Sequence, residues 1–367
     1  MSPMTLLYEK VLRPVFFLQD PEKIHERFVR LGSILGSIPP ARWLLSALYT
    51  YKDERLWQDI AGITFENPVG LAAGFDKDAD LPKLLSSIGF GHAEVGSVTA
   101  KPYPGNEGVR LKRLVIDEAI IVNFGLKSLG AKTVASKLKG KRFPLPVGVS
   151  VARTNAAFAS EKAKLDDWIA GLKTMKVCGD WLTINLSCPN LNDTTNYCDP
   201  ETCERLLVRI EQEKLRFNKP VFLKVGADLT PKQVDRLITL AKPRVWITGF
   251  IISNLCKDRA RLNLKTPKVE HASYPGGISG SFVRKKALAL VKRFKKKSGK
   301  RFVLVGCGGV STAEDAYAYI RAGASLVQLI TGMIYKGPGT IKKINKGLVE
   351  LLRSHGYASI SDAVGKG

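Results

Sequence analysis

From about residue 51 onward the chain carries eight apolar runs of seven to nine residues, and their number and spacing constrain its fold more than any other feature. The runs are NPVGLAAGF (67–75), AEVGSVT (93–99), LPVGVSV (145–151), WLTINLS (181–187), PVFLKVG (220–226), WITGFIIS (246–253), RFVLVGCGG (301–309) and SLVQLIT (325–331). They read as strands buried on both faces of a parallel sheet, and helix-compatible segments fill most of the longer gaps. Eight such signals predict a (β/α)8 (TIM) barrel rather than an open doubly wound sheet. A dinucleotide-binding open sheet would place GxGxxG after its first strand, whereas residues 70–77 read GLAAGFDK.

Composition removes other classes. At 45% hydrophobic and 25% charged residues the chain is neither disordered nor fibrous. No apolar stretch reaches the roughly 18 residues of a spanning helix, and the N-terminus lacks the pattern of a secretory signal. Six cysteines (178, 188, 198, 203, 256 and 307) form no CxxC pair and only four histidines are present, so neither a metal site nor a disulfide scaffold is expected. A reduced, cytosol-facing chain is the expectation. The net charge of +24 favours anionic partners. Residues 284–301 carry ten positive charges and no acid, with Phe282, Ala287, Val291 and Phe294 recurring at helical spacing, which predicts an amphipathic helix with a solvated basic face.

Residues 1–50 have a different grain and are expected to form a helical region apart from a barrel of residues 51–367. Asp20-Pro21 is a helix start, with Asp as N-cap and Pro at the first helical position. Ile24, Phe28, Leu31 and Leu35 form one apolar stripe, and Trp43, Leu44, Leu45, Leu48 and Tyr49 a second. Surfaces this apolar pack on the main domain, dip into a membrane interface, or do both.

Catalytic groups of such barrels gather at the C-terminal ends of the strands. Those ends carry Gly74-Phe75-Asp76-Lys77, Ser97, Ser150, Asn185-Ser187-Cys188-Asn190, Lys224, Ser253-Asn254, Gly308-Gly309 and Thr331. Buried lysines at 77 and 224 would need anionic partners. The glycine-rich turn VGCGGVST (305–312) leads into a helix near Thr312, whose free N–H groups would suit a phosphate. Cys188 differs from Cys178 and Cys307, which read as inert buried cysteines. Polar neighbours and a stiff Pro189 surround it, so its thiol is a candidate base or nucleophile if its pKa is lowered.

These motifs together resemble the dihydroorotate dehydrogenases, flavin enzymes of pyrimidine synthesis. The likeness runs from LLYEKVLRPVFFLQDPEKIHE to the C-terminal GYASISDAVG, and NPVGLAAGFDKD, EVGSVTAKPYPGN, GGISG and AGASLVQL are similar to the membrane-associated, quinone-using class. The resemblance implies oxidation of dihydroorotate to orotate, with electrons passing through FMN to a membrane quinone. It also implies peripheral attachment at the cytoplasmic face of the cell membrane, with no metal and no nucleic-acid partner. Its FMN contacts fall on Ala73, Gly74, Lys77, Ser97, Asn185, Lys224, Ser253, Gly280, Gly309 and Thr331. Orotate contacts fall on Lys77, Asn185, Asn190 and Asn254, the base on Cys188, and quinone-site positions on His25 and Arg113.

Some positions depart from the family pattern. The quinone class uses serine as the base, and NLSCPN resembles the soluble, cysteine-using class. An FMN-binding Asn becomes Ser150, and a Tyr near flavin and quinone becomes Ile330. The substrate loop, close to INRxGFN in the family, reads IVNFGLK here, placing Val122 and Lys127 where asparagines stand. Asn123 takes over substrate binding only if the loop shifts by one residue. These departures leave open a related FMN barrel acting on another dihydropyrimidine or using a soluble acceptor, or a non-catalytic flavin-binding protein. The +24 charge leaves open a reductase like the tRNA dihydrouridine synthases.

Overall fold

The computed structural model describes residues 6–193, 195–259 and 262–367, so residues 1–5 of the N-terminal region lie outside it. Each of the eight apolar runs forms one strand: β1 (Val69–Leu71), β2 (His92–Val98), β3 (Val147–Val151), β4 (Trp181–Asn185), β5 (Val221–Val225), β6 (Gly249–Ile252), β7 (Val303–Cys307) and β8 (Leu326–Leu329). Neighbours pair in parallel and β8 pairs with β1, which closes the barrel. Helices follow every strand and cover the outside, as parallel strands buried on both faces require.

The N-terminal mouth of the barrel is filled by Phe65, Trp181, Phe222, Ile251, Val305 and Leu326, with an antiparallel hairpin (Gln58–Ile60 and Ile63–Phe65) alongside. Strand glycines make room for the large rings there. A Cβ on Gly70 would lie 2.1 Å from His92 Nε2, and one on Gly148 would lie 1.9 Å from Trp181 Cε2. Burial pushes His92 down to about 3, so its imidazole is neutral, and its ring nitrogens have no hydrogen-bond partner among the described residues.

At the opposite mouth lies a three-stranded antiparallel sheet (Leu111–Leu114, Ala119–Val122 and Gly277–Ser279) inserted in the strand–helix loops. Its three- and four-residue strands gave no signal in the sequence.

The N-terminal region is helical as its stripes predict. Helix α1 (Pro21–Ser37) begins at Asp20, whose carboxylate accepts the N–H groups of Glu22 and Lys23, and α2 (Pro39–Tyr49) follows directly. Only Gly32 and Gly36 of α1 are buried. They are four residues apart, and their missing side chains let α1 approach Leu81 and Leu84 of the barrel closely. Thirteen large apolar side chains between Leu6 and Leu48 remain exposed, Leu18 and Trp43 most of all at 89% and 75%. The basic run forms helix α3 (Val283–Ser298), which buries Ala287, Leu290, Val291 and Phe294 and turns most of its lysines outward.

Candidate active site

A cavity of about 630 Å³ opens where the C-terminal strand ends meet the N-terminal helices. Its inner half is polar. Ser97 Oγ at the end of β2 lies 2.7 Å from Ser150 Oγ on β3, and Asn185 Nδ2 on β4 donates to Ser97 Oγ (2.8 Å). Asn185 Oδ1 accepts the Ser187 N–H (3.1 Å) and hydroxyl (2.9 Å), and Asn254 Nδ2 after β6 donates to Ser187 O (3.2 Å) and Oγ (3.0 Å). The Ser187 hydroxyl therefore spends its proton on Asn185 and a lone pair on Asn254. Ser187 is structural, and the next residue, Cys188, is the one that lines the cavity. Burial pushes the Cys188 thiol up to about 11, above the free-thiol value of ~8.5. The lowered pKa expected of a reactive cysteine is not what this site provides.

Lys224, at the end of β5, also lines the cavity and finds its anionic partner in Glu94 of β2, 3.3 Å away, with both side chains buried. That charge holds the ammonium above its ordinary value despite desolvation. Glu94 stands inside the apolar run AEVGSVT and was missed in the sequence; a carboxylate amid buried strand residues was the available signal. Lys77, after β1, is different. It stacks 3.9 Å over the Phe124 ring and has no carboxylate within ion-pair distance among the described residues. Burial, and then the charge of Lys127, pull it down to about 8. A lysine left so is prepared for an anion that the chain itself does not supply.

Of the residues singled out in the sequence, Ala73, Gly74, Lys77, Ser97, Asn185, Cys188, Asn190, Lys224, Asn254, Gly280, Gly309, Ile330 and Thr331 line this one cavity. Ser150 and Ser253 stand behind it: Ser150 supports Ser97, and Ser253 Oγ donates to Cys307 O (3.1 Å). Asn123 turns away and accepts from Asn106 (3.1 Å), while Val122 faces the cavity and its carbonyl accepts from Asn190 (2.9 Å). The one-residue shift that would bring Asn123 inward does not occur, because its N–H is tied to Arg110 O (2.8 Å). The anion site expected near Thr312 is also corrected. Helix α4 (Ala313–Ala322) caps itself, with Asp315 accepting the Ser311 and Thr312 N–H groups, so the open backbone lies earlier, at Gly308–Val310, and across from it at Thr331–Gly332.

The outer half of the cavity is apolar, lined by Phe16, Phe28, Leu31 and Leu35 among others, with His25 and Arg113 as its polar members. His25 Nε2 lies 2.9 Å from Phe75 O. Burial and the Lys77 charge lower its pKa to about 3, so the neutral ring donates from Nε2 and leaves Nδ1 as a buried acceptor without a partner among the described residues. Arg113 donates to Phe16 O (3.2 Å) and lies 4.5 Å over the Phe17 ring. Lys127 joins the two halves. Its ammonium lies 3.1 Å from Glu22 and 2.8 Å from Glu26, both on α1, and Arg110 reaches Glu22 at 2.6 Å. The residue that breaks the substrate-loop pattern thus clamps that loop to the N-terminal helix.

Residues 55–352 match the family model described as dihydroorotate dehydrogenase. The chain belongs to the dihydroorotate dehydrogenase family. It is 39% identical to dihydroorotate dehydrogenase (quinone) of Haloarcula marismortui over 355 residues, covering 97% of this chain and 98% of that one. It is 38% identical to the protein of the same name from Christiangramia forsetii over 346 residues, covering 94% and 99%. Among solved structures it superposes on the DHODH of Eimeria tenella in complex with ferulenol with a TM-score of 0.82 at 28% identity, each chain covered to 95%. A ligand-free DHODH from the same organism gives 0.77 at 28% identity. The family model begins at residue 55, after the N-terminal helices, whereas the Haloarcula relative and the ferulenol-bound structure, which cover 97% and 95% of this chain, extend over those helices as well.

Proposed function

We propose that this chain oxidises dihydroorotate to orotate and delivers the electrons, by way of FMN, to a quinone dissolved in a membrane. The observation that carries the reading is the single cavity whose polar half holds Cys188 and a half-buried Lys77 with no carboxylate partner among the described residues, and whose apolar half is walled by the N-terminal helices.

The residues present fit FMN. Lys224 offers a buried ammonium, Ser97 and Asn185 a polar row, and Gly308 and Gly309, both at positive φ (123° and 69°), leave backbone open to a phosphate. The cavity lies within the roughly 300–1,000 Å³ of small-molecule sites. FMN, when bound, supplies the hydride acceptor and passes electrons on singly or in pairs. The remaining work falls to the chain. Lys77, Asn190 and Asn254 orient the substrate, with the Lys77 ammonium against its carboxylate. Asn185 holds the floor in register through Ser97 and Ser187. Cys188 Sγ takes the proton from the ring carbon adjacent to the one that loses hydride. Thr331, Gly280, Ala73 and Gly74 shape the wall, and Ile330 borders the apolar half.

Quinone would reach the cavity past His25 and Arg113. No helix among the described residues is long and apolar enough to cross a membrane. The exposed apolar side chains of α1, α2 and the segment before them would instead lie in the interface of the membrane's cytoplasmic face. The deciding experiment is anaerobic mixing of the flavin-loaded protein with dihydroorotate. Bleaching of the flavin supports the reading; a yellow protein that dihydroorotate leaves yellow sinks the substrate assignment.

A further inference from the structure

Outside the cavity, two strand–helix connections and helix α3 bring a thiol, a carboxylate and an amine together. Cys256, after β6, is fully buried and its Sγ donates to Asp228 Oδ1 at 3.1 Å. Lys286 of α3 places its Nζ 2.9 Å from the same carboxylate oxygen and 3.3 Å from Cys256 Sγ. Asp228 Oδ2 is fixed by the Lys257 N–H (2.7 Å), and a second carboxylate, that of Asp258, stands 3.8 Å from Nζ. The sulfur cannot drift away, since Cys256 exchanges both backbone hydrogen bonds with Ile278 (3.0 and 2.8 Å). Lys286 is held from the other side by the helix that carries it. Asp228 and Lys286 keep about a third of their side chains in solvent (33% and 28%), so the trio lies at the surface end of the buried thiol.

Nothing in the reaction proposed above uses these groups. The basic character of the chain does not explain them either, because the lysine is directed inward at a thiol. We propose that Cys256 and Lys286 are a modification site, at which dioxygen joins Sγ to Nζ through one oxygen atom. The thiol, the ammonium and one dioxygen give the S–O–N bridge, one water and one proton. The S–H bond and two N–H bonds of the ammonium break, and S–O and O–N bonds form. Sulfur and nitrogen are each oxidised by two electrons, and dioxygen takes all four, one oxygen entering the bridge and the other leaving as water. Asp228, in contact with both reacting atoms, accepts the departing proton and passes it to solvent.

A bridging oxygen suits the 3.3 Å separation better than a direct S–N bond, which would need the two elements to close further. Oxidation that begins at a cysteine and ends on a neighbouring nitrogen has precedent in sulfenamide chemistry. Burial and the Asp228 charge push the Cys256 thiol up to about 11, so free thiolate is scarce and alkylating agents should label it slowly.

The test is peptide mass spectrometry of the full-length, flavin-loaded protein kept in oxygen-saturated or in oxygen-free buffer. The oxygenated sample should yield a peptide pair linked between Cys256 and Lys286, heavier than the sum of its parts by one oxygen and lighter by two hydrogens. Dithiothreitol should release it, and the oxygen-free sample should lack it. Lys286→Arg should remove the linked pair, with flavin content checking that this variant folds. Recovery of Cys256 as free thiol or as sulfinic acid after oxygenation would overturn the proposal, even if no variant could be made. So would a linked pair without the added oxygen, or one that survives in Lys286→Arg.

Discussion

The two halves of the cavity are built on opposite rules. In the inner half nearly every polar side chain has a named partner. Ser97, Ser150, Asn185, Ser187 and Asn254 form one continuous row across the ends of four strands, and Lys224 is neutralised by Glu94. In the outer half the walls are side chains of helices that approach the barrel closely at two glycines, are tied to it by a few polar contacts, and leave many apolar side chains exposed. A satisfied network is rigid and holds groups at fixed distances, which proton and hydride transfer demand. An apolar wall excludes water and sets few directions, which suits a diffusing apolar acceptor. The contrast separates positioning from access within one continuous space.

Deleting residues 1–50 is the severest way to break the comparison. Quinone reduction should vanish, while flavin reduction by dihydroorotate, followed by stopped-flow absorbance, should continue; equal loss of both would mean that the helices chiefly stabilise the barrel. Inside the polar half, Cys188→Ala should slow flavin reduction about 10²–10⁴-fold, the usual worth of a positioned base, with flavin still bound. Because the base acts as thiolate and its pKa lies near 11, the wild-type rate at saturating dihydroorotate, whose carboxylate raises the Lys77 pKa above its free value near 8, should still be rising with pH above 9. A plateau already reached at pH 8 would show that bound substrate lowers the thiol pKa or that another group is the base.

Lys224→Ala should lose most flavin and also leave Glu94 as an unpaired buried charge, at a cost of about 3–5 kcal/mol. Pairing it with Glu94→Leu should restore thermal stability but not flavin. Recovery of both would leave Lys224 with no cofactor role. The smallest effect is expected at the clamp between the halves. Glu22→Gln weakens contacts to Lys127 and Arg110 that are partly solvent-exposed, each worth about 0.2–1 kcal/mol. A rise of a few-fold in KM for dihydroorotate, with kcat for quinone reduction little changed, would show that α1 steadies the substrate loop; an unchanged KM would reduce the clamp to a surface ion pair.

The barrel was legible because a parallel strand buried on both faces must be apolar along its length, and each of the eight runs at 67–75 through 325–331 contains one strand. The strand-end residues were legible for the same reason: polar groups at such positions stand out. What escaped notice depends on distance in space. Nothing near Lys127 in sequence announces Glu22 and Glu26, about a hundred residues earlier. Whether Asn123 or Val122 faces inward turns on one backbone hydrogen bond to Arg110. The thiol pKa of Cys188 depends on how much protein surrounds it, which composition does not report. The self-capping of α4 is the exception. Asp315 stands three residues after Thr312, the spacing of a capping box, so the helix start could have been seen to be taken.

The glycines at the closed mouth carry a further consequence, for how this protein can change over evolutionary time. Gly70 and His92 share one volume, as do Gly148 and Trp181, each pair split between adjoining strands. Neither glycine can acquire a side chain while its partner ring remains, and neither ring can shrink without opening a void. The accessible route at each pair is an exchange of bulk from one strand to the next, made in two mutations with a destabilised step between. Descendants of this sequence should therefore inherit these four positions as two linked pairs, even where the surrounding strands have drifted freely.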